Sequence, residues 1–305
     1  MFSESRELAA AVDTLEDVLA GLGLLLLTSV AILLYLPIVG SLWRLSRTQS
    51  TFLLFLSASL ADLLVLLTLS ALGLWIAFDN VADVDAWLSG WFSSIFAKTV
   101  WYTACFHYGL IGLNRLVSVL LYTRRIELIF TRRLSLALCA AVWLVSLALS
   151  VFECWLCDGT SLVIHAKLYT IGPLNTTKNV ATGAYFVAMY SNVAAFLLAV
   201  LAYSSTFLAI GLSKERRRLF SAPTNQQQSS SDGGGAFGSM QRRLLTISLT
   251  NAVLFVMVDS LYFTGALVHK WQMLFLFDLP MALNAISNGL LLLLFSALVR
   301  TEARS

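Results

Sequence analysis

Seven long apolar runs constrain this chain more than any other feature in it. They cover residues 18–42, 51–77, 92–122, 134–156, 180–211, 244–268 and 272–299. Each meets the ~20 residues that a helix needs to cross the hydrocarbon core of a bilayer. Long uncharged runs enter lipid only as helices whose backbone groups pair internally. Composition agrees: of 305 residues, 58% are hydrophobic and 12% charged. A soluble chain of this size could not hide so much apolar surface. The expected fold class is an all-α membrane protein, a bundle of seven transmembrane helices. An odd number of spans places the termini on opposite sides.

Charge sets the expected orientation. Arg44 and Arg47 follow the first run, and Arg124, Arg125, Arg132 and Arg133 follow the third. Lys214, Arg216, Arg217, Arg218, Arg242 and Arg243 follow the fifth, and Arg300 and Arg304 the seventh. With Arg115 this places fifteen of the twenty Lys and Arg on one side; Arg6, Lys98, Lys167, Lys178 and Lys270 take the other. The positive-inside rule then puts the N-terminus outside and the C-terminus in the cytoplasm. The net charge of +3 is spread along one membrane face, which argues against a nucleic-acid partner. The expected organisation is a short acidic outer tail at 1–17, a transmembrane domain at 18–299 and a short inner tail at 300–305. The first apolar run is long for a signal peptide and reads as a signal-anchor. The inner loop 212–243 opens KERRR and passes through Gln, Ser and Gly tracts, a flexible-linker composition whose basic ends suit anionic lipid or a protein partner.

Ionisable residues inside such runs are costly and mark function by default. Asp62 lies near the middle of the second run. In the third, Trp101, Cys105, Tyr108, Gly112 and Arg115 share one stripe at helical spacing, with Lys98 at its edge and His107 facing away. Lys98 either snorkels to water or meets an acidic ligand. Asn114-Arg115 stands where this run gives way to a basic segment. Asp259 falls in the sixth run, with Tyr262 close behind, and Asn284 and Asn288 share a face of the seventh. Cys154 and Cys157 at the end of the fourth run either pair or stay reduced, and no metal signature accompanies them. Asn175-Thr176-Thr177 is a glycosylation sequon on the side assigned to the exterior.

These residues resemble a family. SLADLL in the second run, NRL at the end of the third, Trp143 in the fourth and NAISNGLLLLLFSALVR in the seventh are similar to the rhodopsin-like (class A) G-protein-coupled receptors. The NRL form, the IF that follows it and the FECWLCDG run look more like the Srx-type serpentine chemoreceptors of nematodes. The resemblance implies that Asn114, Arg115 and Tyr203 serve activation and G-protein coupling. It implies a central polar, sodium-like site of Asp62, Asn284 and Asn288, and a packing role for Trp143. Asn114 stands where the family carries an acid, Asp259 at its tryptophan of the sixth span, Gly289 at its proline and Leu292 at its tyrosine.

The expected function is therefore a chemosensory receptor that binds an extracellular small molecule or peptide and activates a heterotrimeric G protein. The resemblance implies residence in the plasma membrane, a sensory cilium included. Lys98, Trp101, Tyr102, Tyr185, Met189, Asp259 and Tyr262 are the candidate pocket residues, few polar groups in an apolar lining. No enzyme and no cofactor are expected: HExxH is missing, and the seventh run has no lysine for a retinal Schiff base. A transporter or channel is the alternative. Such folds show Gly/Pro-interrupted helices at matching places in two halves, and only Pro37 and Pro280 lie within runs.

Overall fold

Helix α1 (Phe2–Thr48) turns back through Gln49 and Ser50 into α2 (Thr51–Phe78), and the two pack side by side. Small residues permit the approach. A β-carbon on Gly21 would lie 2.5 Å from the Gly73 carbonyl oxygen, so the backbones nearly touch there. The computed structural model describes residues 2–78, 90–120, 131–156, 162–165, 170–173, 184–220, 253, 274 and 278–295.

A π-helical turn (Phe92–Ala97) leads directly into α3 (Lys98–Leu120). Then follow α4 (Arg132–Leu156), a hairpin of β1 (Leu162–His165) and β2 (Thr170–Pro173), α5 (Ala184–Phe220) and α6 (Leu279–Phe295). The strands pair antiparallel, with Leu162 opposite Pro173 and His165 opposite Thr170. The helical body matches the expected class, but the hairpin interrupts a segment expected to be plain loop. α6 corresponds to the seventh apolar run. The sixth run, apart from Val253, lies outside the described residues.

Among the described residues, four helical stretches are long and apolar enough to cross a membrane: Thr14–Thr48, Thr51–Phe78, Arg132–Leu156 and Tyr190–Ala209. Helices outrun the apolar segments at two places. α1 extends back to Phe2, so the acidic tail is helical and continuous with the first span. α5 continues to Phe220, so the basic opening of the expected flexible loop is helical too. Lys, Glu and Arg are good helix formers, and a helix needs no lipid to propagate into water.

α3 is the central element, packed against α2, α4 and α5. Polarity is turned inside out relative to a soluble protein. Leu26, Leu33 and Leu36 of α1, Leu144 and Trp155 of α4, and Leu201 and Leu208 of α5 are exposed. Asp62, His107, Asn114, Arg115, Glu153 and Asn284 are buried. An apolar exterior with the ionisable and amide side chains turned inward is what hydrocarbon surroundings select.

Candidate functional site

Three polar groupings are strung along α3, each joining it to different neighbours.

The middle one centres on Asp62 of α2. The Tyr35 hydroxyl on α1 lies 3.0 Å from Asp62 Oδ2 and 2.9 Å from the Ala285 carbonyl oxygen on α6. Asn288 Nδ2 donates to the same carboxylate oxygen at 3.0 Å. It also lies 2.8 Å from the Tyr108 hydroxyl, to which Asn284 Nδ2 donates at 3.0 Å. The Tyr203 hydroxyl of α5 in turn donates to the Tyr108 carbonyl oxygen at 3.2 Å. One network thus ties α1, α2, α3, α5 and α6 together. Asp62, Asn284 and Asn288 do converge, but only Asn288 reaches the carboxylate; Asn284 reaches Tyr108. Tyr35 and Asn288 both donate to Asp62 Oδ2, so the carboxylate acts as an interhelical hub. No group of three His, Cys, Asp or Glu residues suited to a metal occurs among the described residues.

Room for Tyr35 comes from Gly289. A β-carbon there would sit 2.6 Å from the Tyr35 ring. Gly112 likewise admits Tyr203, whose ring would lie 3.3 Å from a β-carbon at that position. The stripe expected on α3 is real: Trp101, Cys105 and Tyr108 pack in one cluster with Ala195, Ala199 and Tyr203 of α5. His107 faces elsewhere, buried, with Nδ1 donating to the Thr103 carbonyl oxygen at 2.7 Å.

The second grouping lies at the Lys98 end of α3. Glu153 of α4 has no solvent exposure, and it forms an ion pair with Lys98 and accepts a hydrogen bond from Tyr102. Lys98 therefore neither snorkels away nor waits for an acidic ligand; its charge is met within the bundle. Further along α4, Trp143 Nε1 donates to Ser57 Oγ at 3.1 Å, so the tryptophan expected to pack also makes a bond to α2.

The third grouping is at the other end. Arg115 is 4% exposed, its guanidinium 4.9 Å from the centre of the Phe55 ring. Asn114 is buried beside it, and Tyr203 of α5 is fully buried. The arginine faces other helices rather than lipid, as its cost in hydrocarbon requires.

Of the other pocket candidates, Trp101 is half-buried and Tyr102 buried. Tyr185 and Met189 are on α5 with side chains outside the described set. Asp259, Tyr262, Cys157 and Asn175 lie outside the described residues, and Cys154 is buried. Sequence reasoning missed Tyr35 and the role of Glu153. Glu153 carried a usable signal, an acid inside an apolar run. Tyr35 carried none, since aromatics are common in such helices.

Comparison with known proteins bears on this arrangement. A family model described as serpentine type 7TM GPCR chemoreceptor Srv matches residues 24–305. The match is to Srv; it does not support the Srx type in particular or a class A assignment. Among curated proteins there is no match.

Proposed function

Since this chain belongs to the serpentine type 7TM GPCR chemoreceptor Srv family, and is a multi-pass membrane protein, we propose that it binds an extracellular ligand and activates a heterotrimeric G protein. In this reading the bundle has seven spans, an outer N-terminus and a cytoplasmic C-terminus, and sits in the plasma membrane. The ligand enters at the Lys98 end of α3, the G protein at the Arg115 end. Trp101, Tyr185, Met189, Asp259 and Tyr262 contribute to the ligand pocket. The Lys98–Glu153–Tyr102 cluster braces its wall, and Asn175 carries glycan.

The observation that carries the proposal is the Asp62 network. It lies between the two ends and joins five helices through a handful of hydrogen bonds. Interhelical bonds of this kind contribute ~0.6 kcal/mol on average, up to ~2. A ligand or partner worth 1–3 kcal/mol of coupling is enough to rearrange such a set. Arg115 with Asn114 and Tyr203 forms the inner end that the partner meets.

The test is a ligand screen in cells with a G-protein dissociation readout, run on the wild type and on Arg115→Ala. Ligand-dependent dissociation in the wild type, lost in the variant at equal surface expression, supports the reading. Substrate flux into vesicles without any G-protein response would replace it with a transporter.

A further inference from the structure

Asp278, the residue directly before α6, is 1% exposed, and its Oδ2 has no hydrogen-bond partner. It stands in contrast to the two other buried acids. Asp62 accepts from Tyr35 and Asn288, and Glu153 meets Lys98 and Tyr102. Asp278 adopts π-helical geometry, a local distortion that is frequent at functional sites. Counting six positions back from Asn284 at ~1.5 Å per residue puts it about 9 Å nearer the start of α6 than the central network.

Among the described residues, no basic side chain pairs with it. Leu274, Ala282 and Ala285 recur with Asp278 at helical spacing, and those three belong to the apolar cluster with Leu24, Leu69, Leu72 and Val100. Two buried hydroxyls of α1 and α2 are already bonded: Ser70 Oγ donates to Thr28 Oγ1 at 2.7 Å, and Thr28 Oγ1 donates to the Leu24 carbonyl oxygen at 2.8 Å. Lys98 is bound to Glu153. A buried carboxylate left unpaired is expensive, several kcal/mol after relaxation.

We propose that Asp278 is the anchor for an organic cation, so that the extracellular ligand is a small amine with an apolar body. This rests on the receptor reading above and names its ligand class. A single carboxylate suits one ammonium group through a charge-assisted hydrogen bond. A metal ion would demand more oxygen ligands than one acid supplies. Leu274, Ala282 and Ala285, which share its helical spacing, suit the apolar rest of such a ligand.

The experiment uses the purified full-length receptor in nanodiscs, with benzylamine, cyclohexylamine and octylamine against their matched alcohols and carboxylic acids. Thermal unfolding is followed over a concentration series, with G-protein dissociation in cells run on the same compounds. One or more amines should raise the unfolding midpoint where the matched alcohol and acid do not. Asp278→Asn, which keeps shape and removes charge, should weaken that amine roughly 10- to 100-fold. Asp278→Glu, which keeps the charge, should retain amine binding and serves alone if the Asn variant does not fold. An amine series that fails to stabilise the wild type overturns the proposal, as does equal stabilisation of Asp278→Asn or loss of binding in a folded Asp278→Glu. Amine binding without G-protein dissociation upholds the anchor and sinks the coupling reading. G-protein responses to alcohols or acids alone, unchanged in Asp278→Asn, overturn the anchor and leave the coupling reading standing.

Discussion

The ring of Tyr35 rests against the backbone of Gly289, where a single added carbon would come within 2.6 Å of it. The hydroxyl of that ring reaches both Asp62 and the Ala285 carbonyl oxygen. The bareness of Gly289 is what lets α1 into the central network.

Gly289→Ala should therefore strain Tyr35 out of place. Overpacking of this kind costs about 1–3 kcal/mol. The expected outcome is a lower unfolding midpoint for the purified receptor, together with a smaller than additive loss when Tyr35→Ala is added. Strict additivity of the two substitutions would show that they do not meet.

Glu153 and Lys98 make a second prediction. Truncating one partner of a buried pair strands the other charge, at about 3–5 kcal/mol, whereas replacing both with apolar residues is often neutral. Lys98→Met and Glu153→Met should each cut surface expression sharply, and the double variant should recover much of it. A double variant no better than the worse single would count against the pairing.

Trp143 offers a milder case. Trp143→Phe keeps most of the packing and loses the bond to Ser57, for a cost of about 0.5–1.5 kcal/mol. Ser57→Ala should cost a similar amount, and little more should be lost when the two are combined. Thermal midpoints of the three variants decide it.

How much of this was legible beforehand follows from what each feature depends on. Run length and charge placement sufficed for the helical membrane class and for the inward burial of Arg115, because both follow from the cost of charge in hydrocarbon. The meeting of Asp62 with Asn288 was implied by the family resemblance; residue type alone says only that each seeks an interhelical partner. That Tyr35 would join them, or that Glu153 would claim Lys98, depends on how each helix is rotated about its axis. Periodicity gives a face, not the neighbour it meets. The ends of α1 and α5 escaped for another reason: hydropathy marks where lipid ends, and helices do not stop there. The β1–β2 hairpin is too short, at four residues a strand, to stand out from a polar loop.

Asn114 gives a prediction about signalling. A neutral amide cannot form the ion pair with Arg115 that a carboxylate would, and the bidentate Arg–carboxylate pair is the stronger contact. Asn114→Asp should lower ligand-free G-protein dissociation at matched surface expression. No fall in that basal signal would argue against a restraining role for the position.

The inner polarity of α3 also bears on how the protein is made. Lys98 and Arg115 lie on a helix that is not among the four apolar enough to cross on composition alone. A charged residue opposes entry into the bilayer during insertion, by less near the ends of a helix than the about 2.5–3.5 kcal/mol at its centre. Its partners are on α2, already synthesised, and on α4 and α5, still to come. α3 should thus linger at the translocon until Glu153 emerges, which makes the order of synthesis part of what selects the final arrangement of helices.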